Sequence, residues 1–291
     1  MNELSSGPPN TEVPTPSLPA GWLARCWNAV RRHPFRALCA AVALLVVYEL
    51  LTIPWFDIPS LRTKNPPETA LMRQRQHEAE ATNKRLNVVH RWIPLKKLPR
   101  TLLDAVVVAE DGTFYSHGGV DWFEIRQSIE KNIRQRKFAR GGSTITQQLA
   151  KNLYLSTSKD PVRKLKELVI TVLLEHYLDK ERILELYVNE IEWGRGIFGV
   201  ESAAQTYFSE SASSLSPDQC YRLAAVIPSP LRHRPDTDSR YVLRRKEIVE
   251  RRLVARSHGV TDFTDEDTSA TGQDAVSGQE QGIDSTGNEG E

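Results

Sequence analysis

Arg140-Gly141-Gly142-Ser143-Thr144-Ile145-Thr146-Gln147-Gln148-Leu149-Ala150-Lys151-Asn152 is the stretch from which the rest of the chain can be read. Thr144 followed three residues later by Gln147 is a capping-box pattern, so a helix starts directly after the Gly141-Gly142-Ser143 turn. Along that helix Ile145, Leu149 and Leu153 form an apolar stripe. Thr144, Gln148 and Lys151, spaced four then three, fall together on a neighbouring polar face. One side packs and the other is free to bind. Two glycines before a helix start also offer unpaired backbone N–H groups at the positive end of the dipole, which suits a phosphate or diphosphate. A plain polar face would carry the same residue types, so the stretch needs company before it means chemistry.

Upstream, Leu102, Leu103, Val106 and Val107 mark a helix ending at Glu110, which opens into Asp111-Gly112-Thr113-Phe114-Tyr115-Ser116-His117. A carboxylate at the edge of an apolar wall has its charged form disfavoured by desolvation, which makes it a stronger proton acceptor. Asp111 can orient Glu110 or cap the loop, and a simple polar helix terminus is the alternative. His117 reads as structural support. Ile125, Ile129 and Ile133 continue the helical period. Downstream, Asp160-Pro161 is a cap followed by a first-turn proline, predicting a helix to about Tyr177, and Asp179 caps the next. Arg163 and Glu167, four apart, read by default as an exposed ion pair. Lys164 and Lys166 then add positive charge near a helix N-terminus, where the dipole disfavours it, and that conflict points to an anionic ligand.

Strand-like alternation is scarce: Val88 to Ile93, closed by Pro94, is the best short strand. The fold class expected is therefore mainly α. From Ala37 to Ile53 the chain is apolar apart from Glu49 and Thr52, about what a bilayer-crossing helix needs. Arg25, Arg31, Arg32 and Arg36 precede it, so the positive-inside rule leaves the N-terminus in the cytoplasm and places everything after Phe56 outside, with Trp55 at the outer interface. A cleavable signal peptide is the alternative, but Leu50 to Ser60 offers no small-x-small cleavage site. We divide the 291 residues into a disordered cytoplasmic N-terminus (1–34), a transmembrane anchor (35–56), a juxtamembrane linker or helix (57–85), a catalytic domain (86–258) and a disordered acidic tail (259–291). Between Arg62 and Asn87 the only large apolar residues are Leu71, Met72 and Leu86, which favours a solvated spacer. The last helix, about Ser239 to Arg256, carries Leu243, Ile248, Val249 and Leu253 within a run of Arg and Lys and reads as a solvated face, with a membrane-surface face as the alternative.

The tail holds nine acidic residues, and without them 28 acidic residues face 38 basic ones. A basic body suits an anionic membrane surface, a diphosphate or nucleic acid, and charge alone does not choose. Cys220 is the single cysteine after the anchor, so no disulfide framework forms there within one chain, and no metal-ligand spacing of Cys or His occurs.

With these residues in hand, the chain resembles the family-51 peptidoglycan glycosyltransferases, the polymerising domain of class A penicillin-binding proteins and of monofunctional biosynthetic transglycosylases. The resemblance covers roughly Leu86 to Arg256 in five blocks. The first runs from Glu110-Asp111 through Phe114, His117, Gly119 and Asp121. The second is Gly142 to Gln148 with Lys151-Asn152, and the third is Arg163-Lys164-x-x-Glu167. Ile183 to Asn189 forms the fourth, with Val188 where Leu is usual. Gly194-x-Gly196-x-x-Gly199 through Ala203, Ala204, Tyr207 and Phe208 forms the fifth. Ser209-Glu210 departs from the Gly-Lys common in the family, so no ligand contact is carried over there.

The resemblance implies a lysozyme-like helical domain with a short β-hairpin and a membrane-dipping region. It also implies polymerisation of lipid II, with undecaprenyl pyrophosphate leaving from the growing chain as the incoming sugar 4-hydroxyl attacks with inversion. Glu110 then matches the general base and Glu167 the second essential carboxylate, acting directly or through a divalent cation, Mg or Mn; no cofactor is otherwise required. Lys151, Arg163 and the Thr144 helix start would stabilise the departing diphosphate. Asp111, Phe114, His117, Ser143, Gln148, Asn152, Lys164, Tyr187 and Asn189 complete the substrate-binding set that the blocks imply. The partners implied are lipid II, the growing lipid-linked glycan and the membrane, with room for cell-division or penicillin-binding proteins and no nucleic acid. Two rivals stand beside this reading: a lytic transglycosylase or lysozyme on a similar scaffold, and a silent scaffold that binds precursors. The cationic second and third blocks favour synthesis, and intact Glu110 and Glu167 oppose the scaffold.

Overall fold

Local chemistry sets where the helices begin. The computed structural model describes residues 31–122, 126, 143–158 and 160–257. Gly141 and Gly142 of the expected Gly141-Gly142-Ser143 turn, the Ile125, Ile129 and Ile133 period, and the two polar ends up to residue 30 and from residue 258 lie outside them. The chain divides into two units between Ile53 and Pro54. In the first, α1 (Pro34–Leu51) is an 18-residue helix of mean hydropathy 1.8 with none of that window buried. At 1.5 Å per residue it spans about 27 Å, close to the thickness of a bilayer's hydrocarbon core. A helix that exposes Phe35, Leu44 and Leu51 by 75%, 71% and 77% needs an apolar solvent, which makes it a candidate membrane anchor.

In the second unit, α2 (Asp57–Ser60) and α3 (Ala70–Ala81) lead to the two-residue strand β1 (Val89–His90) and then to α4 (Arg100–Glu110). There follow α5 (Ile145–Tyr154), α6 (Pro161–Tyr177) and α7 (Lys180–Glu190). The strands β2 (Glu192–Gly194) and β3 (Ile197–Phe198) precede α8 (Val200–Phe208), α9 (Pro217–Val226) and α10 (Arg240–Ser257). The caps are those the sequence specifies. Thr144 and Gln147 form a reciprocal capping box on α5, Asp160 accepts from the Val162 N–H at the start of α6, and Asp179 accepts from the Arg182 N–H at the start of α7.

The fold is mainly helical with one small sheet of order β1-β3-β2, in which β1 runs parallel to β3 and β2 pairs antiparallel with it. Gly199 ends this sheet at φ +80° and starts α8; a Cβ there would sit 2.7 Å from the Asn189 carbonyl oxygen, so no other residue fits. Two helical layers flank the site. α4 packs against α9 and α10 through Ala105, Ala224 and Val249, while α5 packs against α6 and α7 with Ile145 and Leu149 fully buried. Cys220 is buried among these helices, and its thiol is pushed up to about 11 by burial, leaving it inert.

The segment before β1 corrects the spacer reading. Leu71 and Met72 are buried against Phe198, with Val88 packed beside them. Polar clamps reinforce this small contact: Arg75 Nε donates to Glu192 Oε2 at 2.8 Å, and Tyr154 Oη to Asp57 Oδ2 at 2.7 Å. The Arg182 guanidinium meanwhile donates to the Leu61 and Lys64 carbonyls at 2.8 and 2.9 Å. Counting apolar residues underestimates such a segment, because its attachment is built from charge-assisted hydrogen bonds to elements distant in sequence.

Candidate active site

Glu110 is the last residue of α4, so the helix that forms the apolar wall also delivers the carboxylate to its rim. Glu110 Oε2 accepts from Gln148 Nε2 at 2.8 Å, whereas Oε1 is buried with no hydrogen-bond partner among the described residues. Burial raises the Glu110 pKa, and the Gln148 hydrogen bond and the nearby cations Arg245 and Lys151 oppose that rise. Gln148 is itself held, because its Oε1 accepts from the fully buried Tyr187 hydroxyl at 3.0 Å. A carboxylate with a raised pKa, one anchored oxygen and one unsatisfied oxygen is suited to accept a proton.

Glu167 stands on α6 and is buried, with side-chain exposure of only 4%. Arg163 Nη1 donates to its Oε2 at 2.8 Å and Lys164 Nζ donates to its Oε1. The Arg163 side chain is 16% exposed, so this is not the exposed pair that four-residue spacing suggests by default. α6 packs against α5, and removing both Arg163 and Lys164 would leave the Glu167 carboxylate as an uncompensated buried charge.

Lys151 connects the two halves. It lies one turn beyond Gln148 on α5; burial lowers its pKa, Glu167 and Glu110 both raise it, and Arg163 and Lys164 push it down. Lys151 is thus within electrostatic reach of Glu110, Glu167, Arg163 and Lys164. Arg163 and Lys164 pair with Glu167, and Lys151 adds a third positive charge near them.

Several residues of the expected binding set serve inside the protein instead. Thr144 is 3% exposed; its hydroxyl donates to the Gly119 carbonyl at 2.6 Å and caps α5. The Ile145 N–H at the helix start donates to Asp111 Oδ2 at 3.0 Å. At the helix start where the resemblance implies a diphosphate, the positive end of α5 therefore holds the Asp111 carboxylate. Gly119 N–H donates to His117 Nδ1 at 3.1 Å, so His117 carries its proton on Nε2 and donates it to Asp111 Oδ1 at 2.9 Å. Phe114 is fully buried. Asn189 is also fully buried, exchanging hydrogen bonds with the Ile93 N–H and carbonyl, both at 2.9 Å, and so ties α7 to the segment after β1. Asn152 is buried at 8% exposure, and Ser143 is exposed just before α5.

Arg245 on α10 is the residue that sequence reading missed. It lies four residues before the buried Val249 and three after the buried Val242, on the helix face turned inward, where its charge acts on Glu110 and its Nε is buried with no hydrogen-bond partner among the described residues. The signal was present: a cation at the core-facing period of a helix otherwise read as solvated.

No cluster of three or more His, Cys, Asp or Glu able to hold a metal occurs among the described residues. Glu167 offers one carboxylate whose two oxygens are already taken by Arg163 and Lys164. These residues do not make a divalent-cation cage, so no step below is routed through a metal.

A helical domain that holds a desolvated carboxylate, Glu110, and a second carboxylate, Glu167, paired with cations has groups suited to glycosyl transfer. The family model described as transglycosylase matches residues 77–254. The chain belongs to the transglycosylase family. It is 42% identical over 212 residues to the biosynthetic peptidoglycan transglycosylase of Herminiimonas arsenicoxydans, covering 73% of this chain and 90% of that one. It is 40% identical over 220 residues to the protein of the same description from Chromobacterium violaceum, covering 76% and 96%. For that from Nitrosomonas eutropha the figures are 40% over 243 residues, 83% and 93%.

Proposed function

We propose that the chain is a membrane-anchored peptidoglycan glycosyltransferase that polymerises lipid II into glycan strands for the cell wall. Glu110 takes the proton of the incoming sugar 4-hydroxyl as that oxygen attacks the anomeric carbon of the growing chain. The new C–O bond forms with inversion as the anomeric carbon's bond to the diphosphate oxygen breaks, and undecaprenyl pyrophosphate departs with the electron pair. Lys151, Arg163, Lys164 and Arg245 supply fixed positive charge where the diphosphate charge builds up, the preorganised stabilisation such a departure needs. A glycosidase must instead protonate a poor alkoxide leaving group, for which acids and not cations are required.

The single observation that carries this reading is the Glu110 carboxylate, held by Gln148 through one oxygen while the other is buried with no hydrogen-bond partner among the described residues, with Lys151 near enough to feel the charge of both Glu110 and Glu167. The apolar α1 supports anchoring. With the positive-inside rule, Arg31, Arg32 and Arg36 support an N-terminus in the cytoplasm and a catalytic unit on the outer face of the cytoplasmic membrane. The partners are then lipid II, the growing lipid-linked chain and the membrane itself.

The test is polymerisation of purified lipid II by the detergent-solubilised full chain, with and without a chelator, and with moenomycin, which mimics the growing chain in the family that this protein resembles. Glycan polymer that moenomycin suppresses is the expected product. Shortening of pre-made glycan with no polymer would replace this reading with a lytic one, and precursor binding without turnover would replace it with a scaffold. Loss of activity in chelator would bring a metal back to Glu167.

A further inference from the structure

Lys180 and Glu175 stand outside every residue assigned a role above, yet they lie where four segments of the site meet. Lys180 is the first residue of α7, a position where the helix dipole disfavours a cation, and its side chain is only 21% exposed. Its Nζ donates to Glu175 Oε1 at 2.7 Å and lies 4.5 Å from the centroid of the Phe114 ring. Glu175, near the end of α6 and 11% exposed, accepts on the same oxygen from Thr146 Oγ1 on α5 at 2.5 Å. Its aliphatic stem presses on the loop backbone. A Cβ on Gly119, whose φ is +86°, would come within 2.7 Å of Glu175 Cγ and 2.8 Å of Thr171 Cγ2.

One ion pair therefore touches α5, α6, α7 and the loop that leaves Glu110. Beyond it, Gly119 accepts from Thr144 and donates to His117, His117 donates to Asp111, and Asp111 follows Glu110 in sequence while holding the start of α5. The pair reaches Glu110 only through this chain of contacts, whereas Gln148 and Lys151 act on it directly. We infer that Lys180 and Glu175 are a positioning pair that seats Phe114 and Gly119 and thereby fixes the direction of the Glu110 carboxylate. This rests on Glu110 being the base of the proposed reaction. Since the pair has no direct bond to Glu110, Glu167, Gln148 or Lys151 among the described residues, its loss moves turnover and leaves substrate affinity alone.

Three variants of the full chain test it: Lys180→Met, Lys180→Arg, and the double variant Lys180→Met with Glu175→Gln, which neutralises both charges so that no buried carboxylate is left unpaired. Each is assayed for thermal unfolding, for kcat and KM with lipid II, and for backbone hydrogen exchange. In the double variant kcat should fall roughly ten- to hundredfold with KM within about threefold of wild type, as for a small misplacement of a reacting group. The unfolding midpoint should stay near wild type, and Lys180→Arg should recover most of the rate. Amides from 112 to 121 should exchange faster, while those of α9 and α10 stay unchanged. Wild-type kcat in the folded double variant, activity lost only in proportion to unfolded protein, or a raised KM at constant kcat would overturn the inference. If the wild-type chain makes no polymer, the proposed function fails by itself, and unchanged exchange over 112–121 would still refute the pair.

Discussion

Replacing Glu190 with Gln should remove most of the protein's loss of stability at rising pH. Glu190 ends α7, is fully buried, and neither carboxylate oxygen has a hydrogen-bond partner among the described residues. Burial pushes its pKa up from 4.5 to about 8, with Arg182 opposing. His90 Nε2 lies 3.6 Å away, but it donates to the Asn189 carbonyl at 3.0 Å, and burial holds its pKa below the usual imidazole range. At neutral pH both groups are therefore neutral, and the contact is no ion pair. Because the folded-state pKa is raised, folding favours the protonated acid. The contribution is complete below pH 4.5, drains as pH rises, and is gone above about 8. At ~1.4 kcal/mol per unit the loss between pH 5 and 8 is on the order of 4 kcal/mol. For a domain of this size that corresponds to roughly 10 °C in Tm. Gln cannot ionise, and its unpaired amide costs about 1–3 kcal/mol at every pH. The assay is thermal unfolding of both detergent-solubilised proteins from pH 5 to 9. The wild-type Tm should fall relative to Glu190→Gln up to about pH 8 and run parallel to it above. Parallel curves across the whole range would refute the reasoning.

Other changes have equally definite outcomes. Gln148→Leu removes the hydrogen bond that holds the Glu110 pKa down; the acid limb of the pH–rate profile should move to higher pH and kcat should fall about tenfold. Arg245→Met should move that limb the same way, through loss of a cation near Glu110, and cut polymerisation about tenfold or more; an unchanged profile would take Arg245 out of the site. Ser209, at the end of α8, is held at φ +59° and ψ +29°, a left-handed position where glycine is unstrained. Ser209→Gly should therefore raise stability by about 0.5–1 kcal/mol, seen as a Tm gain of a few degrees with unchanged activity.

Features that depend on neighbours in sequence were legible, and those that depend on distant partners were not. The capping box at Thr144 and the Asp160 and Asp179 caps follow from residues within one turn, and the structure has all three. The desolvation of Glu110 was legible because the apolar run that precedes it lies in the same helix. Arg163 and Glu167 looked exposed because spacing cannot tell which face of α6 meets α5. The Thr144 helix start looked open to an anion because nothing local announces that Asp111, 34 residues earlier, supplies one. Arg245 and the clamps of Arg75 and Arg182 belong to the same class, long cationic side chains whose partners only the folded chain supplies. The Ser209 departure from the family's glycine also gains a physical meaning, since it falls on a left-handed residue.

The central claim is that Glu110 removes the proton in glycosyl transfer while cations gathered at Glu167 hold the diphosphate. The most direct measurement is the lipid II polymerisation rate of Glu110→Gln, with precursor binding measured on the same protein. The account predicts a loss of about a hundredfold or more in rate, with binding nearly unchanged, as for removal of a positioned general base. A folded Glu110→Gln protein that polymerises at the wild-type rate would contradict it.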